Sequence, residues 1–190
     1  MKPRVYIALL HYPVYNKRME VIKTSITNLD LHDIARTTRT YGVRKYFIVH
    51  PSETQKNLAQ EILGYWQDGF GAEYNPDRKE AFEIIELFSS LEETLNRIEK
   101  LEGQRPKVAA TDARKYANSI GYTGLRGIIE EGDDPWLIIF GTGWGLTDEL
   151  VQGCDYILEP VEGDSDYNHL SVRAAAAIII DRLLGEKWWT

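Results

Sequence analysis

At 190 residues, with 43% hydrophobic and 27% charged side chains and no stretch near the roughly 20 apolar residues of a membrane span, the chain is expected to form one globular domain, residues 1–190, not embedded in a membrane. Cys154 stands alone, which excludes an internal disulfide and a cysteine zinc cluster and points to a reducing, cytoplasmic setting. Net charge is −7, yet residues 1–50 hold nine Lys/Arg against three acids, +6, leaving −13 for the rest; this is a footprint of one face meeting a polyanion or, equally, of chance clustering on a solvated surface.

The apolar run Val5–Leu10 predicts a buried strand, and because residues 1–4 lead straight into it no signal peptide is expected. Leu31, Ile34, Ala35, Thr38 and Tyr41 recur at helical spacing, with Gly42 as the stop. Residues 45–49 read as a second strand ended by Pro51, and 52–66 as a helix with Leu58, Ile62 and Leu63 on one face. Gly69, Gly71, Asn75 and Pro76 mark a loop, and 84–88 is either a strand or a helix end. Ser90-x-x-Glu93 is a capping box opening a helix to Leu101, closed by Gly103. A strand over 107–111, a helix over Tyr122–Glu131, the strongest strand at 136–140, a short helix at 147–152 and a short strand at Tyr156–Leu158 follow. A polar loop, 162–169, leads to a helix over 171–184, whose apolar stretch 174–180 is expected against the sheet and a second subunit; the Trp188-Trp189 tail packs on that subunit or on its own helix. The alternation predicts an α/β domain with a mostly parallel sheet and helices on both faces.

In such sheets ligands sit outside the carboxyl ends of strands. Three strand ends carry unusual loops: Thr111-Asp112-Ala113-Arg114, Gly141-Thr142-Gly143-Trp144-Gly145, and Glu159-Pro160 with the polar loop after it. Alternate glycines permit positive φ and close approach of a ligand to backbone. A dinucleotide fingerprint, which would make the chain a nucleotide-cofactor-dependent oxidoreductase with Glu159 as its ribose acid, fails in detail. The spacing is G-x-G-x-G, not G-x-G-x-x-G, and no βαβ unit of adequate length follows. A tight turn without a ligand is the plain alternative. Asn168 or Ser171 is the expected N-cap of the last helix.

Taken together, three segments resemble, in order, the motifs of SPOUT-superfamily RNA methyltransferases. Asn28-Leu29-Asp30-Leu31-His32-Asp33-Ile34-Ala35-Arg36-Thr37, ending in Tyr41-Gly42, is similar to the first. Phe140-Gly141-Thr142-Gly143-Trp144-Gly145-Leu146 is similar to the second, and Ile157-Leu158-Glu159-Pro160 with Asn168-His169-Leu170-Ser171-Val172-Arg173-Ala174-Ala175-Ala176 to the third. The likeness is nearest to a small bacterial branch with an Asp-Ile-Ala-Arg-Thr signature. It implies a deep C-terminal trefoil knot, S-adenosylmethionine bent within it, a homodimer that completes the active site, and RNA, tRNA or rRNA, as substrate; no metal is implied.

Carried over by position, the resemblance puts Thr111, Gly141, Thr142, Gly143, Gly145, Leu158, Pro160, Leu170 and Ser171 around the cofactor. Adenine needs an apolar slot with a few backbone hydrogen bonds, and a sulfonium needs no phosphate cradle. Arg36 falls at the family's RNA-handling arginine, and His32, Arg36 and Arg39 are expected to project from their helix as a stripe for phosphate contact, with an ordinary solvated face as the bland reading. Asp33 is a candidate to orient Arg36 or His32. Tyr167 and His169 stand where ribose-methylating relatives often carry serine and asparagine, and Asp30 where asparagine is common. A base nitrogen therefore joins the ribose oxygen as a target, with His169 as candidate general base beside Arg36 in the catalytic set, against a merely structural histidine. A noncatalytic RNA-binding module of the same fold is the remaining alternative.

Overall fold

The computed structural model describes residues 3–187; the Trp188-Trp189 tail lies outside the described residues. The chain runs β1 (Val5–Leu10), β2 (Val14–Tyr15), β3 (Val21–Ile22), α1 (Asn28–Thr40), β4 (Tyr46–Val49), α2 (Glu53–Gln67), α3 (Phe70–Tyr74), α4 (Pro76–Phe82), β5 (Ile85–Phe88) and α5 (Leu91–Glu102). It continues through β6 (Lys107–Ala110), β7 (Ser119–Ile120), α6 (Tyr122–Glu131), β8 (Trp136–Gly141), α7 (Asp148–Gln152), β9 (Tyr156–Leu158) and α8 (Val172–Leu184). Seven strands pair in parallel in the order β5-β4-β1-β8-β6-β9-β7, and β2 and β3 form a separate antiparallel hairpin.

The two-residue pleat sorts the apolar runs onto two faces. Ile7, Leu9, Ile48, Ile138 and Phe140 pack under α1, α2, α4, α6 and α8. Tyr6, Ala8, Leu10, Phe47, Val49, Leu137 and Ile139 pack under α5 and α7. Burial on both faces is why the central strands read as unbroken apolar runs. Helix α1 buries Leu31, Ile34, Ala35 and Thr38 as its spacing predicts, and α8 takes Ser171 as its N-cap, the hydroxyl accepting from Ala174 N at 3.3 Å.

Two expectations are corrected. Helix α2 buries Ala59 and Leu63, with Ile62 and Trp66 beside them, while Leu58 is 45% exposed, because it precedes the 59/62/63/66 stripe by about 100° of turn. Residues 69–76 are not an extended loop but the punctuation of α3 and α4: Asn75 caps α4 through Oδ1, accepting from Arg78 N at 3.0 Å, and Pro76 occupies its first turn. The hairpin strands and β7 span two residues each, too short to leave a periodic signal.

The sheet order positions the site. β4 and β5 extend one side of β1, whereas β8 lies between β1 and β6. Registers Leu10↔Gly141, Ala110↔Ile139 and Ala110↔Ile157 bring the carboxyl ends of β1, β8, β6 and β9 to one edge. Helix α8 packs against α1 and α6 beneath that edge.

Candidate functional site

A cavity of about 790 Å³ opens at this edge. Thr111 to Arg114 after β6, Phe140 to Gly145 at the end of β8, Val161 after β9, Asn168 to Val172 leading into α8, and Thr24, Ser25, Thr27 and Asp30 before and in α1 form its walls. Seven of the nine residues expected around the cofactor are brought together here: Thr111, Gly141, Thr142, Gly143, Gly145, Leu170 and Ser171. Leu158 and Pro160 are buried in the body of the domain and form no part of the wall; Leu158 is 0% exposed, its side chain in the core beneath β9.

The glycine loop owes its glycines to its own neighbours. At Gly143 (φ 62°) a Cβ would lie 2.8 Å from the Tyr15 carbonyl, and at Gly145 (φ 95°) 2.8 Å from Asp112 Oδ2. Both therefore need positive φ and have no room for a side chain. The loop leans on β2 through Trp144 N donating to Tyr15 O (2.9 Å) and Tyr15 N to Gly145 O (2.9 Å). On its other side Asp112 is clamped by Arg114, whose Nε donates to Oδ1 at 2.9 Å and Nη2 to Oδ2 at 2.7 Å, while Nη2 also reaches Leu146 O at 2.6 Å. The third guanidinium nitrogen, Nη1, pairs with Asp148 at 2.9 Å. Hydrogen bonding to Asp112 holds the Arg114 proton more tightly than usual, so this fork stays charged.

Behind the loop lies a buried hydroxyl–imidazole chain that sequence reasoning missed. Ser52 N donates to His50 Nδ1 (2.9 Å), so His50 is the tautomer whose Nε2–H donates to Thr24 O (3.0 Å). His11, 0% exposed, lies 3.1 Å from Thr24 Oγ1 through Nδ1; Thr24 Oγ1 in turn bonds Thr142 Oγ1, which is 3.4 Å from Leu10 O. Only the order His11 Nδ1–H to Thr24, Thr24 to Thr142 and Thr142 to Leu10 O uses every hydrogen; the reverse strands a buried N–H. It leaves His11 Nε2 as an acceptor with no partner among the described residues. Burial, helped by His50, holds the His11 pKa down at about 4, so the ring is neutral. The chain fastens Thr24 and Thr142, both on the cavity wall, to the ends of β1 and β8.

The stripe expected on α1 does not form as a stripe. His32 is turned into an aromatic cluster, 5.2 Å from Trp66 and 4.6 Å from Phe82 between ring centroids, because α4 packs against α1; burial lowers its pKa. Arg39 is paired with Glu80. Asp33 orients neither Arg36 nor His32 by hydrogen bond: it accepts from Arg173 at 2.9 Å, and the same guanidinium stands 3.5 Å from Asp30, tying α8 to α1. Arg36 is exposed and makes no ion pair among the described residues. It lies outside the cavity, in an adjoining groove with Thr37, Tyr41, Ser171, Arg173 and Ala177; Ser171 belongs to both. His169 is exposed on the cavity wall, 5.3 Å from the Trp144 ring and 6.4 Å from Tyr167. Asp112 and Arg114 were singled out only as part of a loop and Arg173 only within a motif: the Asp112–Arg114 pair is local, but its role shows only through Leu146 and Asp148, and Arg173 finds its partners on α1.

The wall suits a nucleoside-sized cation. Phe140, Val161, Leu170, Val172, Ala175 and Ile179 supply an apolar slot, Thr24, Thr27, Thr111 and Ser171 supply hydroxyls, and the Asp30 carboxylate lies at the edge. Its volume is that of an ordinary small-molecule site. Among the described residues this wall holds no phosphate cradle: the one cation lining it, Arg114, is engaged by Asp112 and Asp148.

Residues 4–185 match a family described as SAM-dependent RNA methyltransferase. A protein of Aquifex aeolicus is 48% identical over 94% of this chain and 87% of its own length. A protein of Oleidesulfovibrio alaskensis named tRNA (guanine-N(1)-)-methyltransferase is 45% identical over 96% of this chain, but the chain spans only 42% of that protein. Among solved structures, the SpoU methyltransferase AviRb of Streptomyces viridochromogenes, in complex with AdoMet, aligns with TM-score 0.56 and 13% identity over 97% of this chain and 58% of its own, a likeness of fold.

Proposed function

We propose, on the premise that this chain belongs to the SAM-dependent RNA methyltransferase family, that the cavity at the ends of β6, β8 and β9 binds the cofactor and that tRNA is the RNA methylated. One observation carries this reading: loops from three parallel strands and the start of α8 close on a single apolar, hydroxyl-bearing cavity without an anion cradle. The family match removes the ground for an oxidoreductase, and the five-residue α7 after the glycine loop is too short for a dinucleotide-binding helix. Two relatives bearing the name of a tRNA methyltransferase support tRNA as the substrate, though each is more than twice as long as the matched segment.

When bound, S-adenosylmethionine supplies an electrophilic methyl carbon. The chain's own residues then have to orient and desolvate. Asp112, clamped by Arg114, sets the glycine loop, and the Thr24–Thr142 pair fixes another part of the cavity wall. His169, exposed at the wall, is the candidate to take a proton from the attacking nitrogen or oxygen, and Arg36 is the candidate to hold the neighbouring phosphate. Most of the rate then comes from positioning.

Arg36 and His169 belong to separate walls within one chain, which supports a homodimer whose second copy brings an Arg36 to the cavity. Ala174, Ala177 and Ile178 on α8 are only half-buried, a face suited to such a contact. The trefoil knot belongs to the same proposal, supported by β8 lying between β1 and β6. Among the described residues no helix is long and apolar enough to cross a membrane, and cytoplasmic tRNA is the substrate pool this reading assigns.

The test is transfer of labelled methyl groups from S-adenosylmethionine to unmodified tRNA transcripts. Wild-type protein should label them, Arg36→Ala and His169→Ala should each lose at least tenfold, and a mixture of the two should recover activity by forming one intact shared site. Labelling of ribosomal RNA alone would refute tRNA as the substrate, and no recovery on mixing would refute the shared site.

A further inference from the structure

The basic residues before position 51 meet different fates. Arg4 and Arg44 end on Glu102, Lys45 on Glu86 and Arg39 on Glu80, so the sheet and helix neutralise them. Lys17, Arg18 and Lys23 are exposed and form no ion pair with the described residues. All three lie on or directly beside the β2–β3 hairpin, which is inserted between β1 and α1.

That hairpin is stiff. Asn16 Oδ1 accepts from Arg18 N (2.8 Å) and Glu20 N (3.0 Å), and Asn16 Nδ2 donates to Glu20 Oε2 (2.7 Å). The one acid of the hairpin is thereby held by Asn16 instead of by a cation. Met19, at φ 60°, stands on the cavity wall beside Thr24 and Ser25, so the tip reaches the cavity mouth. At its root the hairpin continues into the glycine loop: Val14 bridges Leu146, and Tyr15 exchanges backbone hydrogen bonds with Trp144 and Gly145. Lys23 Nζ lies 5.7 Å from the centre of the half-exposed Tyr12 ring, leaving its charge to solvent.

We propose that the β2–β3 hairpin is a basic arm that grips the phosphate backbone of the RNA strand whose target nucleotide enters the cavity. The inference rests on the RNA-methyltransferase reading above. Unpaired cations on a rigid mount, beside the cavity where the reaction occurs, suit phosphate contacts, which fix orientation without reading sequence. The arm also explains how a chain of net charge −7 holds a polyanion: among the described basic residues before position 51, Arg4, Arg39, Arg44 and Lys45 are paired with acids, while these three, like Arg36, are left to solvent.

The test compares wild-type protein with a Lys17→Ala/Arg18→Ala/Lys23→Ala variant. Binding of a fluorescent unmodified tRNA transcript is followed by anisotropy from 50 to 200 mM KCl, with S-adenosylmethionine calorimetry in parallel. Three lost contacts at about 0.7 each should flatten the salt slope by about 2, so that the affinity lost over this fourfold range shrinks by roughly 18-fold. Cofactor affinity should not change, since none of the three lines the cavity. A variant with the wild-type slope and affinity, tested where Arg36→Ala does weaken binding, overturns the arm and leaves the RNA reading standing. A salt dependence that moves to self-association instead would mean the arm meets a second copy, which also overturns the proposal. Wild-type protein that binds no tRNA overturns the arm as a tRNA grip and the choice of tRNA as substrate together.

Discussion

Replacing His11 by asparagine tests the buried chain behind the glycine loop. Asparagine retains a donor where His11 Nδ1–H meets Thr24 Oγ1 at 3.1 Å, but it cannot accept a second proton. In the native protein burial holds the imidazole near a pKa of about 4, against 6.5 for an ordinary histidine. Below pH 6.5 the unfolded chain binds a proton that the native state refuses, so stability is complete above that pH and falls as pH drops toward 4. The whole difference is worth about 3 kcal/mol, with about 2 kcal/mol lost by pH 5. Loss of the ring should cost the variant about 1–2 kcal/mol at pH 7. The two stability curves should therefore cross between about pH 5 and pH 6, with the variant the more stable below the crossing. Urea unfolding followed by tryptophan fluorescence between pH 7.5 and 4.5 measures this. Parallel curves with a constant gap would refute the assignment of a neutral, proton-refusing His11.

Gly145→Ala should destabilise by about 1–3 kcal/mol and weaken cofactor binding, because its Cβ would meet Asp112 Oδ2 at 2.8 Å at a φ of 95°; unchanged urea midpoint and calorimetry would contradict this. Arg114→Lys keeps a charge but loses the two-pronged grip on Asp112 and the bond to Leu146 O, so a loss of about 1–3 kcal/mol and a lower cofactor affinity are expected from the same two measurements. Arg173→Ala uncovers Asp30 and Asp33 beside Arg36; unfolding should shift by less than about 1 kcal/mol, since the pair is partly solvated, while tRNA affinity by anisotropy falls several-fold.

The strands were legible because both faces of the sheet are buried, leaving runs such as Val5–Leu10 and Trp136–Gly141 without polar interruption. The need for glycine at 143 and 145 was legible too, but its cause was not: the obstructing atoms belong to Tyr15 and Asp112, remote in sequence. His32 looked exposed because residues 77–83 carried no assigned element, so Phe82 could not be placed against its face with Trp66. Arg173 pairs with Asp33 across 140 residues, and no local pattern marks a contact of that span. Likewise, the excess of basic residues near the start of the chain was countable, but only the ion pairs to Glu102, Glu86 and Glu80 show which of them remain free.

Calorimetric titration with S-adenosylmethionine shows whether the cavity between the ends of β6, β8 and β9 is the cofactor site. The Gly143 Cβ position is blocked by the Tyr15 carbonyl, so a larger residue in the glycine loop would disturb the fold. Ala175→Phe grows instead from the α8 wall into the cavity. The account predicts one site per chain in wild-type protein, with binding lost in Ala175→Phe at an unchanged melting temperature. Wild-type protein that takes up no S-adenosylmethionine, or a folded Ala175→Phe that binds it as well as wild type, would contradict the account.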